Sequence, residues 1–173
     1  RIPMPQDDSQ VITTDYFLKP GFIYLPVKPT TISTVLGSSV SVSLYDRSRK
    51  IGGMNHFLYP YAEAREKATA RFGNIAIVTL LKMMKENGSK LSKLEAQIFG
   101  GAYNVEASKR DIGRENHRAA RQILASNRIR IVSEDIGGQL GRKIVFNTTT
   151  CEIVTLKVDR LRKSDWYPYE ADR

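Results

Sequence analysis

The stretch LGSSVSVSLYDRSRKIGGMNHF, residues 36–57, predicts a β-hairpin and guides the interpretation of the rest of the chain. Serine alternates with valine and leucine through its first half, which is the period-two pattern of a strand with one buried face. The polar segment DRSR, residues 46–49, is typical of a turn, and the residues from Ile51 onward predict the returning strand.

This hairpin brings one hydroxyl group and one imidazole close together. If the turn centres on Arg47-Ser48, Ser39 lies directly opposite His56, with Cβ atoms about 5 Å apart. A three-residue turn would make the two residues diagonal neighbours, and a bulge at Gly52-Gly53 would shift the register. In each case a side chain of the nucleophile type lies within reach of a base.

Length and composition indicate one globular domain. The chain has 173 residues, of which 41% are hydrophobic, so it can bury a substantial core. The sequence has no apolar run of membrane-spanning length and no signal-peptide pattern, so we expect a cytoplasmic protein without membrane insertion. Cys151 is the single cysteine, and His56 and His117 are the only histidines. We therefore expect no disulfide framework, no metal and no cofactor.

The charge is strongly basic, with 27 Lys and Arg against 18 Asp and Glu and a net charge of +9. This excess favours an acidic partner. The densest basic segment is 109–130, where Arg114, Arg118 and Arg121 share one face of a predicted helix. That face is either a solvated helix surface or an interaction surface. Since no nucleic-acid-binding motif matches, we expect no nucleic-acid partner, although a basic face that binds nucleic acid stays an alternative.

The remaining elements predict an α+β fold. One helix is predicted between Asn74 and Gly88, and another over residues 112–126. Further strands are predicted at 22–26, 31–35, 94–99, 129–133, 143–147 and 152–158, the last two as a second hairpin. Because strands and helices do not alternate, mostly antiparallel sheets should pack together with flanking helices. We expect a single domain over residues 16–158, with tails at 1–15 and 159–173.

Several motifs are similar, in order and spacing, to those of the CheD family of chemotaxis proteins. The most specific pair is LGSSVSV at 36–42 and IGGMNHF at 51–57. Further segments agree, namely LEAQIFGGA (94–102), IGREN (112–116), EDIGG (134–138), GRK (141–143) and FN (146–147). The resemblance covers roughly residues 16–158.

The resemblance implies an α/β sandwich that deamidates chemoreceptor glutamines and binds the CheC phosphatase. The family site combines cysteine, histidine and threonine, which carry over to Ser39 as the nucleophile position, His56 as the base and Ser33 as the orienting hydroxyl. Strand parity favours Ser33, since it shares a face with residue 39 while Thr34 points away. By the same analogy, Phe99, Gly100 and Gly101 belong to a partner-contact loop. The basic helix face should meet the receptor helices.

Position 39 is the main departure from the family, because it holds serine where the family has cysteine. A thiol loses its proton far more readily than an alcohol, so we expect this chain to be inactive or nearly so. Either an engineered replacement or a natural pseudoenzyme explains the serine, and engineering fits the otherwise complete set of residues better.

Two further functions compete with the deamidase interpretation. The chain is alternatively a non-catalytic adaptor that binds the CheC phosphatase or a receptor. A serine–histidine hydrolase of small esters is less favoured, because the hairpin supplies no carboxylate partner for His56.

Overall fold

The computed structural model describes residues 12–64 and 68–166. Its strands are β1 (Thr14–Phe17), β2 (Ile23–Tyr24), β3 (Thr30–Leu36), β4 (Val40–Asp46), β5 (Ile51–Asn55), β6 (Leu94–Gly100), β7 (Arg130–Ile136), β8 (Gly141–Asn147) and β9 (Ile153–Val158). The helices are α1 (Gly73–Glu86), α2 (Ile112–Ser126) and the short α3 (Lys163–Trp166), and a 3-10 turn covers Leu91–Lys93.

These strands form two sheets, one in the order β1-β3-β8-β9 and the other in the order β2-β5-β4-β6-β7. Only the pairs β1/β3 and β6/β7 are parallel among the described strands. One hydrophobic core lies between the two sheets, and the other lies between the five-stranded sheet and helices α1 and α2. The predicted α+β class with mostly antiparallel sheets is confirmed. No helix in the described part of the chain is long and apolar enough to cross a membrane.

Strand β4 differs from the prediction of one buried face, because all of its residues are buried. Val40, Val42 and Leu44 contribute to the core beneath the helices, whereas Tyr45 contributes to the core between the sheets. The serines share the parity of Tyr45, so they face the second sheet. The alternation therefore marks two buried faces, one apolar and one lined by small hydroxyl residues.

The first hairpin has a four-residue turn rather than the tight turn expected from its sequence. Asp46 pairs with Ile51 and Ser43 with Met54, which shifts the register by two residues. The Asp46 carboxylate holds the turn by accepting hydrogen bonds from Ser48 and from the Arg49 backbone. A shift of two residues keeps every side chain on its predicted face, because the period of a strand is two.

The other predicted elements agree closely with the structure. Helix α2 has the predicted bounds, and its N-cap Asp111 accepts a hydrogen bond from the Arg114 backbone. Helix α1 begins one residue before the predicted cap, and the Asn74 side chain instead accepts from the Ala62 backbone. The second hairpin, formed by β8 and β9, is confirmed.

The domain boundaries remain a prediction, although both predicted tails contribute ordered structure. Strand β1 begins at Thr14, within the predicted N-terminal tail, and Trp166 of the predicted C-terminal tail is buried. The sequence also predicts that the aromatic residues in 166–169 dock on the body, and residues 167–169 of this segment lie outside the described residues.

Candidate active site

The candidate active site lies where the chain passes from one sheet to the other. Residues 37–39 connect the end of β3, in the four-stranded sheet, to the start of β4, in the five-stranded sheet. His56 follows the end of β5. The backbones of Val40 and Phe57 exchange two hydrogen bonds of 3.0 and 2.9 Å, which fixes the alignment of the two segments.

A continuous chain of hydrogen bonds joins three buried side chains. The Ser39 Oγ lies 2.8 Å from the His56 Nε2, and the His56 Nδ1 lies 2.8 Å from the Thr34 Oγ1. The Thr34 hydroxyl donates to the Leu18 backbone carbonyl at 2.8 Å. The structure thus brings Ser39 and His56 together, as diagonal neighbours across the hairpin.

These contacts determine the tautomer of His56. A carbonyl oxygen can only accept, so the Thr34 hydroxyl gives its single proton to Leu18. The His56 Nδ1 must then carry a hydrogen and donate it to Thr34, which leaves a lone pair on Nε2 toward Ser39. This is the tautomer that a general base needs when its nucleophile lies at Nε2.

Burial also determines the charge of His56, whose side chain is 1% exposed. Desolvation lowers the pKa of the imidazole from 6.5 to about 3. His56 is therefore neutral at physiological pH, and none of its described hydrogen-bond partners carries a charge.

The prediction that Ser33 is the orienting hydroxyl is wrong, because Thr34 makes the contact with His56. In β3 the fully buried residues are the even-numbered ones, while Ser33 is only partly buried. The parity argument assumed one continuous strand from residue 33 to 39. It fails because residues 37–39 leave the strand and cross between the sheets.

The backbone of residues 37–39 is arranged with its carbonyl groups bound and two amide groups free. The carbonyls of Gly37 and Ser39 accept from Ala102 and Gly101. The Ser38 carbonyl accepts from the Asn116 side chain at 3.0 Å. The N–H groups of Ser38 and Ser39 have no acceptor among residues 12–64 and 68–166. Two free N–H groups beside a nucleophile position can hold a developing oxyanion.

The C-terminal helix α3 packs against this same crossing segment. The Ser38 hydroxyl donates to the Trp166 backbone carbonyl at 3.0 Å. A Cβ atom at Gly37 would lie 2.8 Å from the Trp166 ring, so only glycine permits this approach. An open cavity of about 510 Å³ lies beside Trp166, with Tyr103 and Leu161 in its wall.

The residues of the predicted partner-contact loop are buried, and their role in binding a partner stays a prediction. Phe99 is 2% exposed and packs between the sheets, and Gly100 and Gly101 are also buried. Strand β6 lies inside the five-stranded sheet, so its end is covered by its neighbours.

The predicted basic face is exposed on helix α2, at Arg114, Arg118 and Arg121. Arg121 donates to the Glu134 carboxylate at 2.7 Å, so part of its charge is already matched. The face therefore presents two arginines without an ion pair among the described residues, together with one that is paired.

The remaining candidate groups make no hydrogen bond with Ser39 among the described residues. His117 is half-buried on α2, and burial is the main cause that lowers its pKa. Burial raises the pKa of the Cys151 thiol, which accepts a hydrogen bond from Gln97 at 3.2 Å. No cluster of three or more metal-ligating side chains occurs in the described ranges.

Comparisons with known proteins agree with the motifs. The family profile described as CheD chemotactic sensory transduction matches residues 59–157. A protein of Anaeromyxobacter dehalogenans, named probable chemoreceptor glutamine deamidase CheD 1, is 41% identical over 133 residues, which cover 76% of this chain and 77% of the relative. A protein of Trichlorobacter lovleyi, named probable chemoreceptor glutamine deamidase CheD, is 40% identical over 147 residues, which cover 84% of this chain and 90% of the relative. The chain belongs to the CheD family.

Proposed function

We propose that this chain is a cytoplasmic chemotaxis protein whose site is built to hydrolyse chemoreceptor glutamine side chains to glutamate. The names of its relatives support the reaction and the substrate class. The observation that carries the proposal is the buried chain of hydrogen bonds from Ser39 through His56 to Thr34. It supports a nucleophile, a base and an orienting hydroxyl at these three positions.

The reaction we propose belongs to a chain with a thiol at position 39. The His56 Nε2 takes the thiol proton, and the thiolate attacks the carbonyl carbon of the glutamine amide. The C–N bond then breaks, and ammonia leaves with the proton from Nε2. Water gives a proton to the same nitrogen and attacks the thioester. The C–S bond then breaks, the sulfur takes the proton from Nε2, and the product carboxyl group ionises as glutamate.

The backbone of the crossing segment supplies the electrostatic part of this mechanism. The attack converts the amide carbonyl into an oxyanion, which needs donors that are already in place. The N–H groups of Ser38 and Ser39 are suitable because their own segment leaves them without acceptors within the described residues.

With serine at position 39 we expect no measurable turnover. An alcohol gives up its proton far less readily than a thiol, so the weak basicity of buried His56 is a much greater obstacle with serine than with cysteine. Thr34 is neutral and cannot replace the carboxylate of a serine-hydrolase triad, whose replacement by an amide lowers kcat about 10⁴-fold in the best-studied case. Among residues 12–64 and 68–166 no carboxylate is hydrogen-bonded to His56, which also argues against the serine hydrolase of small esters.

A second candidate function is a non-catalytic adaptor for receptor helices or for a CheC-like phosphatase. Ser39 favours it, because the rest of the site is retained while the competent nucleophile is replaced. The adaptor and the enzyme share the same surface, on which Arg114, Arg118 and Arg121 face the partner. The two functions differ only in what happens to the bound glutamine.

The deciding experiment measures ammonia release from a chemoreceptor cytoplasmic fragment. We expect Ser39→Cys to release ammonia and Ser39→Cys,His56→Ala to release none, with circular dichroism showing that both are folded. Equal release by the two variants would show that His56 is not the base. No release by either folded variant would favour the adaptor.

A further inference from the structure

The side chain of Asn116 connects helix α2 to both halves of the candidate site. It is fully buried, and its Nδ2 donates to the carbonyl of Ser38 at 3.0 Å and to that of Leu58 at 2.8 Å. Because both partners are carbonyl oxygens, the amide can face them only with its nitrogen. One residue therefore links the position before Ser39 with the segment that follows His56.

The contact to Ser38 fixes the direction of the next backbone amide. A peptide unit is planar, and in the trans form its C=O and N–H point in opposite directions. The N–H of Ser39 is in the same peptide unit as the Ser38 carbonyl. While Asn116 holds that carbonyl, the Ser39 N–H lies in the same peptide plane and points in the opposite direction, away from the Asn116 side chain.

Helix α2 is a rigid base for this interaction. A Cβ atom at Gly113 would clash with the Ala102 carbonyl oxygen, so the helix approaches residues 101–102 as closely as glycine allows. The neighbouring N–H groups of Gly101 and Ala102 bind the carbonyls of Ser39 and Gly37. The helix and the crossing segment thus form one packed unit.

We propose that Asn116 is a positioning residue that aims the Ser39 N–H at the oxyanion of the deamidation reaction. The inference rests on the proposed function, and it adds a residue that does not touch the reacting atoms. Asn116 is not needed for the spacing between nucleophile and base, because the two Val40–Phe57 backbone hydrogen bonds hold that spacing. Its loss should therefore weaken the stabilisation of the oxyanion and leave the reactivity of the nucleophile unchanged.

The test compares Asn116→Ala with Asn127→Ala, both in the Ser39→Cys background. Asn127 is an exposed control at the other end of the same helix, since its Nδ2 also donates to a backbone carbonyl, that of Ile123. Two rates are measured, namely deamidation of a receptor fragment and alkylation at position 39 by iodoacetamide. Alkylation forms a C–S bond with loss of iodide and generates no oxyanion, so it reports only on the thiolate. Peptide mass mapping separates position 39 from Cys151.

We expect Asn116→Ala to lower kcat by about 10- to 100-fold, with KM and the alkylation rate within about twofold of the parent. Asn127→Ala should leave all three values unchanged. If Asn116→Ala does not fold, Asn116→Asp keeps the shape of the side chain and can donate at most one hydrogen bond.

An unchanged kcat, or a parallel loss of alkylation and deamidation, would overturn the positioning role while leaving the proposed function in place. A parent Ser39→Cys variant without deamidase activity would overturn the proposed function, and the role of Asn116 with it.

Discussion

Replacing Thr34 by valine removes the hydroxyl that orients His56 while retaining the size of the side chain. Thr34 is fully buried, and its oxygen accepts from the His56 Nδ1 and donates to the Leu18 carbonyl. Valine makes neither hydrogen bond, so Thr34→Val leaves one buried N–H group and one buried carbonyl without a partner.

The expected loss of stability follows from these two buried groups without partners. A buried polar group that loses its partner costs about 1–3 kcal/mol, so Thr34→Val should lower the free energy of unfolding by roughly 2–6 kcal/mol. Ser33 is the control, because its side chain is only partly buried and makes no hydrogen bond among the described residues. Ser33→Ala should change the free energy by no more than about 0.5 kcal/mol.

Urea unfolding of the parent and the two variants measures this difference directly. A long-range nitrogen–proton spectrum of the parent should show the hydrogen of His56 on Nδ1, as the contact with Thr34 requires. Equal destabilisation by Thr34→Val and Ser33→Ala, or a hydrogen on Nε2 in the parent, would refute the assignment of Thr34.

Two further predictions concern charge. Because the folded pKa of His56 lies at about 3 and the unfolded value is 6.5, only the unfolded state binds this proton between those pH values. The stability from neutral His56 is thus complete above pH 6.5 and falls by on the order of 4 kcal/mol toward pH 3, and His56→Gln should make the measured pH dependence shallower in this window. An equal slope in the variant would contradict the lowered pKa. Reversing the basic face should slow association with a receptor fragment at low salt, and the difference should shrink at physiological ionic strength, where exposed charges are screened within about 8 Å. The variant is Arg114→Glu,Arg118→Glu,Arg121→Glu, and its control with the same charge change is Lys82→Glu,Lys85→Glu,Lys90→Glu. Equal association rates for the two variants at low salt would show that the basic face of α2 does not speed association with the receptor.

The fold was largely predictable, because its periodic segments agree with the local turn and cap signals. The apolar pattern of α2 predicted its bounds, and in the structure Asp111 caps its first turn. Strand β1 was missed because its four residues are all exposed and carry no alternating pattern. The burial of both faces of β4 depends on a second sheet, which no local pattern reveals.

The contact between Ser39 and His56 was predictable, because the error in the hairpin register kept both residues on the same strand face. The contact of His56 with Thr34 was not, because the chain passes from one sheet to the other after β3. A register error of two residues left Ser39 and His56 on one face, so their contact survived it. The choice between Ser33 and Thr34 depended on the path of residues 37–39, which is set by packing between the sheets. Asn116 was missed as well, because only the tertiary fold brings α2 to the Ser38 carbonyl.

The most direct test of the central claim follows the mass of a receptor fragment incubated with the parent chain and with Ser39→Cys. Each deamidated glutamine raises the mass of the fragment by about one dalton because its NH2 group is replaced by OH, and thiolate is the nucleophile that we expect to drive this exchange. We predict this gain with Ser39→Cys and an unchanged mass with the parent chain. Equal deamidation by both proteins, or none by a folded Ser39→Cys variant that binds the fragment, would contradict the account.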